Sequence, residues 1–521
     1  MRKEIAKLLK EKFEKEVVVE IPKDTKFGEF STPVAFSLAK EYRKSPIKIA
    51  EDLVPELQNY PQFEKVEAVK GFLNFYLSED FLNRFGEKSL KEDFGQSEKN
   101  EKILLEFVSA NPTGPLHIGH ARGAIYGDSL LRLGRHLGYK IDSEYYVNDA
   151  GRQISLLGVS IKYAFDEISG KNPTEPEEYY RGEYIFDLAK EIQAENGDEV
   201  FSDLDKLSVL GKNKMILEIK SNLSSAGIEF DSYVSEKEIF ADWEKALEKI
   251  GNGTYQKDGK TFLKSSEHGD DSDRVIVREN GIPTYLAGDI TYHNNKFSRD
   301  YDKYINIWGA DHHGYIKRVE SAIEFLGYDS SKLETRLTQM VSLLRDGEPY
   351  KMSKRAGNFI LMKDVVDEVG ADALRFIFAS KTADTSLTFD ISDLMKQDSS
   401  NPIYYINYAH ARVHSLLRKS EFSIEEILKE NITTSSHRES RELLFFALRL
   451  PEVIEESFES RGVQKMAEYL HSLASNFHSF YNKTPMIGNE KEKELLKLSL
   501  IVANSIKLGL SLLGISAKEK M

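Results

Sequence analysis

Cysteine is absent from all 521 positions of the chain. That excludes disulfides, cysteine nucleophiles and every thiolate-bound zinc site. A zinc site of histidine and carboxylate stays open on composition, but no HExxH spacing occurs, and no protein-bound metal is expected. Long apolar runs are also lacking: no stretch approaches the roughly 18 consecutive apolar residues of a membrane span. The opening MRKEIAKLLKEKFEKE alternates charge with apolar residues and has no apolar signal-peptide core. It reads as an amphipathic helix, and a cytoplasmic protein without membrane contact is expected. Positive charge is in deficit, with a formal net charge of −14. An acidic whole argues against a nonspecific nucleic-acid coat, yet a basic face can sit on it locally. Internal repeats and low-complexity tracts are missing as well, so motifs must decide the function.

The chain divides into an α+β appendage at 1–95, an α/β region at 96–385 and a helical region at 386–521. KILLEFV from Lys102 is a continuous apolar run between turn residues, the pattern of a buried parallel strand. Strand-like runs return at RVIVRE and YINIWGADHH, after a charged helical insertion at about 160–262. The expected fold class is α/β: a Rossmann-type, doubly wound parallel sheet with that insertion, the appendage and a carboxy-terminal all-α bundle.

Two segments carry the chemistry. In EFVSANPTGPLHIGHARGAIYGD a strand ends near Val108, a Pro/Gly turn follows and a helix starts around Ile118. Free amides and the positive dipole end there would attract phosphate. His117 and His120 flank that start as possible donors to an α-phosphate. Gly119, Gly123 and Gly127 form a smooth stripe that would let the helix approach the sheet. More than 200 residues later, DGEPYKMSKRAGN places Lys351, Lys354 and Arg355 within five residues. Ammonium groups on such a loop can meet the charge of departing pyrophosphate. Each motif alone is also compatible with surface histidines and a solvated basic loop. Their joint occurrence, in order, is far more specific.

His117-Ile118-Gly119-His120 resembles the HIGH signature of class I aminoacyl-tRNA synthetases, and Lys351-Met352-Ser353-Lys354 resembles their KMSK loop. The lead-in Ser109 to Pro115 and the block Tyr146 to Gln153 are similar to the forms found in arginyl enzymes. The resemblance implies MgATP as the activating substrate, bound by Pro115, His117, Gly119, His120, Lys351, Met352, Ser353 and Lys354. His117, His120, Lys351 and Lys354 would carry the charge role in catalysis. A guanidinium calls for carboxylates in fork geometry. By resemblance, L-arginine would be held by Glu106, Ser109, Asn111, Glu236, Tyr285, Asp289 and His313. Tyr285 and Asp289 stand at i, i+4, on one face of a helical turn. With 85 acidic residues in the chain, any one of these carboxylates taken alone is more often a solvated surface charge.

Ala371-Asp372-Ala373-Leu374-Arg375 resembles the sequence that names the DALR-type anticodon-binding bundle. Tyr405, Tyr408 and Arg412 could stack on unpaired bases, over a core stripe of Ile406, Ala409, Val413 and Leu417. Gly71 to Phe75 is similar to the appendage of arginyl enzymes that meets the tRNA elbow, which maps Phe72 and Asn74 onto a base contact. An alternating strand with a buried Phe explains the same residues equally well. The partners implied are tRNA(Arg), ATP and L-arginine, with the chain a monomer. The cysteinyl enzymes share the bundle but build their site on a thiolate zinc. Small adenylyltransferases share the histidine motif but lack a bundle. A non-catalytic tRNA binder would have no use for a pyrophosphate loop.

Overall fold

In the computed structural model, residues 1–350, 359–434 and 437–521 are described. The chain forms two compact units: residues 98–396, and residues 1–97 together with 397–521. The family resemblance separated the two ends of the chain; in space they make one unit.

The run from Lys102 is β1 (Lys102–Glu106), followed by α1 (Ile118–His136) and β2 (Lys140–Val147). Three helices come next, α2 (Arg152–Ile168), α3 (Glu183–Asn196) and α4 (Leu204–Ser225), before β3 (Ser232–Ser235). Then follow α5 (Tyr285–Phe297), β4 (Lys303–Gly309) and β5 (Leu333–Thr338). All five strands are parallel, in the order β5-β4-β1-β2-β3. The order reverses between β1 and β4, which makes the crevice at their carboxyl ends the natural ligand position of a doubly wound sheet.

The stretch expected as one insertion is two excursions. Leu157, Ile161, Leu188, Ile192, Leu207 and Met215 give α2–α4 their own apolar core. The chain then returns to add β3 to β2 before leaving again. A four-residue edge strand is too short to stand out in a charged sequence. The run RVIVRE joins a separate antiparallel sheet (Thr254–Lys257, Lys260–Leu263, Arg274–Val277) rather than the main one.

The glycine stripe of α1 does less than expected. A methyl at Gly127 would overlap the Phe107 ring, so this position does permit close packing on the strand exit. At Gly123 the nearest atom is an ordinary 3.7 Å away, and at Gly119 the neighbour is the His117 ring.

In the other unit, α7 (Pro402–Lys419), α8 (Gln464–Lys483) and α9 (Glu492–Leu512) carry the bundle core, α6 (Ala371–Ala379) having closed the α/β unit. The buried stripe of α7 is Ile406, Ala409, Val413 and Leu416; Leu417, assigned to it from sequence, is only half-buried. Helix α9 is long and apolar enough to cross a membrane, contrary to the expectation that no such stretch exists, but its apolar residues are packed inside the bundle. The appendage strand Phe72–Leu77 packs into the same unit, where the Arg441 guanidinium bonds both oxygens of Glu29 at 2.5 and 3.0 Å and Glu64 at 2.8 Å.

Candidate active site

At the end of β1 the backbone bends sharply: Val108 and Ser109 both take left-handed conformations, φ 68° and 42°. For a β-branched residue this is costly and persists only where surroundings enforce it. Here Ser109 is held on both sides. Its hydroxyl donates to Glu106 Oε1 at 2.9 Å and accepts the Tyr146 amide at 3.1 Å. The bend delivers the chain to His117, the N-cap of α1.

The first turn of α1 differs from expectation. The Gly119 amide donates to His117 Nδ1 at 3.1 Å, and the His117 amide donates to His120 Nδ1 at 3.3 Å. The Ile118 amide donates to Ile360 O at 2.9 Å, and the Met362 amide returns to Leu116 O at 2.9 Å. The helix start therefore offers no free amide at Ile118 or Gly119. The site's donors are instead the imidazoles. With both Nδ1 atoms accepting, the tautomer assigned by the network places the proton on Nε2. The rings stack with centroids 3.6 Å apart. Burial, and for His120 the neighbouring imidazole as well, lowers their pKa, that of His120 to about 3. The lowered pKa values leave both neutral near pH 7, so hydrogen bonding is what they can offer, as the donor role expected from the sequence requires.

The pairing of Leu116–Ile118 with Ile360–Met362 also joins the two signatures. His117 and Leu361 form an antiparallel bridge, and the Phe359 ring stacks on His117 at 5.4 Å. The exit of the lysine loop is thus stitched to the histidine turn. Lys351, Met352, Ser353 and Lys354 themselves lie outside the described residues.

Beside this turn the carboxylates fall into two classes. Glu106, buried at the end of β1, bonds the fully buried Lys296 ammonium at 2.5 Å; Lys296 also donates to Asn306 on β4 at 2.7 Å. Glu144 on β2 takes a bidentate Arg299 at 2.6 and 2.9 Å and the Tyr292 hydroxyl at 2.9 Å. These two are neutralised. Glu236 and Asp289 are not: among the described residues no cation bonds either. Glu236 is buried, its Oε2 has no hydrogen-bond partner among the described residues, and Tyr146 reaches its other side. Asp289 accepts the Tyr315 hydroxyl at 2.7 Å. Desolvation, reinforced by nearby carboxylates, raises both pKa values, that of Asp289 to about 7. Two buried acids that raise each other's cost of ionisation, with no cation bonded to either among the described residues, are a candidate seat for a cation.

The remaining sequence-assigned residues surround this seat unevenly. Tyr285 is 55% exposed, one turn before Asp289 on α5. Asn111 donates to Gln153 at 2.7 Å and ties the lead-in to α2. Pro115 and Gly119 are half-buried in the histidine turn, and His313 is exposed just beyond β4. Among the described residues, no cluster of three His, Asp or Glu is placed to hold a metal ion.

The profile for the catalytic domain of class I (R) tRNA synthetases matches residues 87–414, that for the arginyl-tRNA synthetase N-terminal domain residues 1–77, and that for the DALR anticodon-binding domain residues 406–521. An arginine–tRNA ligase from Nitratiruptor sp. is 56% identical over 100% of both chains. The chain belongs to the arginyl-tRNA synthetases. A Campylobacter jejuni crystal structure described as a candidate arginyl-tRNA synthetase matches with a TM-score of 0.82 at 55% identity, over 85% of this chain and 100% of that one. The Thermus thermophilus arginyl-tRNA synthetase, at 23% identity, shares the fold with a TM-score of 0.77 over 100% and 99% of the two chains.

In this synthetase the other unit carries an aromatic and cationic face. The Arg412 guanidinium lies between the Tyr408 and Tyr481 rings at 4.4 and 4.3 Å and donates to His478 Nδ1 at 3.0 Å. Tyr408 is exposed, and Tyr405 is half-buried against His478 at 4.5 Å. Sequence reasoning missed His478 and Tyr481; their i, i+3 spacing on α8 was the available signal. On the appendage, Phe72 is exposed and packs edge-on against Phe36, whereas Asn74 is only 4% exposed within the strand pairing. Of that pair only Phe72 presents a surface.

Proposed function

We propose that the enzyme activates L-arginine with MgATP and transfers it to the terminal adenosine of tRNA(Arg). The observation that carries this reading is the Glu236–Asp289 pair, without a bonded cation, beside a histidine turn bridged to the exit of the lysine loop. A planar guanidinium supplies the missing counter-charge and a fork of donors that lysine lacks. Tyr285, Ser109, Asn111 and His313 line the rest of the arginine site. Glu106 acts through Ser109, because its own oxygens are engaged by Lys296 and that hydroxyl.

In the first step an arginine carboxylate oxygen attacks the α-phosphorus, the bond to the β-phosphate oxygen breaks, and pyrophosphate leaves. In the second, the 2′-hydroxyl of the tRNA terminus attacks the acyl carbon and AMP leaves. No protein nucleophile takes part; rate comes from alignment and from stabilising spreading phosphate charge. His117 and His120 donate Nε2–H groups to the α-phosphate, with Pro115 and Gly119 shaping the turn. Lys351 and Lys354, carried with Met352 and Ser353, follow the leaving pyrophosphate. Phe72, with Asn74 behind it, meets the tRNA elbow, and Tyr405, Tyr408 and Arg412 stack on anticodon bases. The reading includes a cytoplasmic monomer with no protein-bound zinc, in keeping with a chain that has no thiolate to offer.

Aminoacylation with each of the twenty amino acids and one tRNA pool tests this. Arginine alone should be charged; charging of another amino acid, or of none, overturns it. Pyrophosphate exchange should appear only when tRNA is added, as the family resemblance implies.

A further inference from the structure

Glu236 stands in the chain between two residues fastened to one buried carboxylate. Asp149, 6% exposed at the end of the β2 loop, accepts the Ser235 hydroxyl at 2.9 Å on both oxygens and the Lys237 amide at 3.0 Å. Ser235 in turn caps the short helix beginning at Glu236 by accepting the Glu238 amide at 3.3 Å. The backbone on either side of Glu236 is therefore pinned by a single group. Lys212 of α4 balances the Asp149 charge at 3.0 Å, so the helical excursion also holds this seat. On the opposite side, α5 presents Gly288 immediately before Asp289. A Cβ at 288 would lie 2.6 Å from Glu236 Oε1 and 3.8 Å from the Tyr146 hydroxyl oxygen. The helix needs no left-handed glycine at 288, and a helix-interior glycine is unfavourable by propensity. Its use at 288 follows from the space the carboxylate occupies.

We propose that Asp149 and Gly288 are the residues that place the Glu236 carboxylate, Asp149 by fixing its backbone and Gly288 by leaving its path open, and so determine the fit for a guanidinium. This rests on the reading of Glu236 as a partner of arginine. Both are positioning residues, since neither reaches into the seat itself. Tilting a fork-to-fork pair off axis loses directional bonds while leaving charge in place, so the loss should fall on arginine and not on ATP.

The test is aminoacylation kinetics on the full-length enzyme with arginine and ATP varied separately. Glu236→Gln tests the underlying reading, and Asp149→Asn and Gly288→Ala test the proposal. Each of the three should raise KM for arginine about tenfold or more, the loss of one charge-assisted bond, with KM for ATP changed less than about twofold. Gly288→Ala also raises helix propensity, so a loss of arginine affinity in a protein that melts no lower separates positioning from general instability. Glu236→Asp introduced into Gly288→Ala should recover part of the arginine affinity, because the shorter side chain withdraws from the added methyl; additive losses would overturn the steric half. If Glu236→Gln raises KM for arginine while Asp149→Asn and Gly288→Ala both behave as wild type, the proposal fails and the reading stands. If Glu236→Gln leaves KM for arginine unchanged, the reading itself fails. Should Asp149→Asn not fold, Ser235→Ala removes one of the same anchors in milder form and carries the same expectation.

Discussion

The two ends of the active site meet charge in opposite ways. At the proposed nucleotide end the described groups are neutral, two stacked imidazoles whose protons are committed by the fold, and the lysines proposed to meet the pyrophosphate lie outside the described residues. At the proposed amino-acid end, two carboxylates have no cation bonded to them among the described residues, next to two that have theirs. The difference matches what each substrate brings. A triphosphate needs donors where charge moves during reaction, whereas a guanidinium carries a fixed charge that a deficit of cations can select before any chemistry begins.

The comparison breaks most plainly at Asp289. Asp289→Asn leaves Glu236 alone against the guanidinium, and loss of one partner of a desolvated pair costs about 3–5 kcal/mol. The measured kcat/KM for arginine should fall by roughly 10²–10⁴, while KM for ATP stays within a small factor. Equal losses for both substrates would show the two ends to be one electrostatic unit. Next in size is Lys354→Ala, expected to remove about 2.7–4 kcal/mol of transition-state stabilisation, by analogy with single oxyanion donors. Pre-steady-state activation should slow with arginine affinity intact; a wild-type rate would remove the lysine loop from the mechanism.

A pH titration then sharpens the contrast. Asp289 in the free enzyme titrates near pH 7, and arginine binds the ionised form. As pH falls through that value the free site takes up a proton that arginine must displace, so KM for arginine rises by about tenfold per unit below it. His120, titrating at about 3, leaves KM for ATP flat between pH 6 and 8. A bell centred on the histidines would reverse the assignment. The smallest effect is expected for Tyr315→Phe, which deletes the hydroxyl bonded to Asp289. It should change arginine affinity by about 1 kcal/mol, roughly fivefold, in an isothermal titration.

Local patterns told most of the site's story in the sequence, and long-range pairings told none of it. The strand, turn and helix around His117 follow from a continuous apolar run and its Pro/Gly punctuation, whereas Tyr285 and Asp289 are singled out only by the family resemblance. Where the backbone amides of α1 go follows from neither, because their partner Ile360 lies 242 positions after Ile118 and no spacing rule connects them. The same limit hid Tyr315 behind Asp289 and the split of the supposed insertion by β3. Side-chain charge was legible only as type. Glu106, Glu144 and Glu236 read alike in the sequence, and only the arrival of Lys296 and Arg299 separates a balanced acid from an available one. The stripe error on α7 is of a different kind: Leu416 and Leu417 are adjacent, and a small drift in helical phase chooses between them.

The ladder between Leu116–Ile118 and Ile360–Met362 fastens the start of α1 to a segment 242 positions further along the chain. Closed, it occupies the Ile118 amide and keeps the helix terminus silent towards anions. Unzipped, the same two bonds would release an N–H at the positive pole of α1, close to where the histidines face the nucleotide. Prising residues 360–362 away would therefore return one donor, the Ile118 N–H, to a helix terminus that is otherwise blocked.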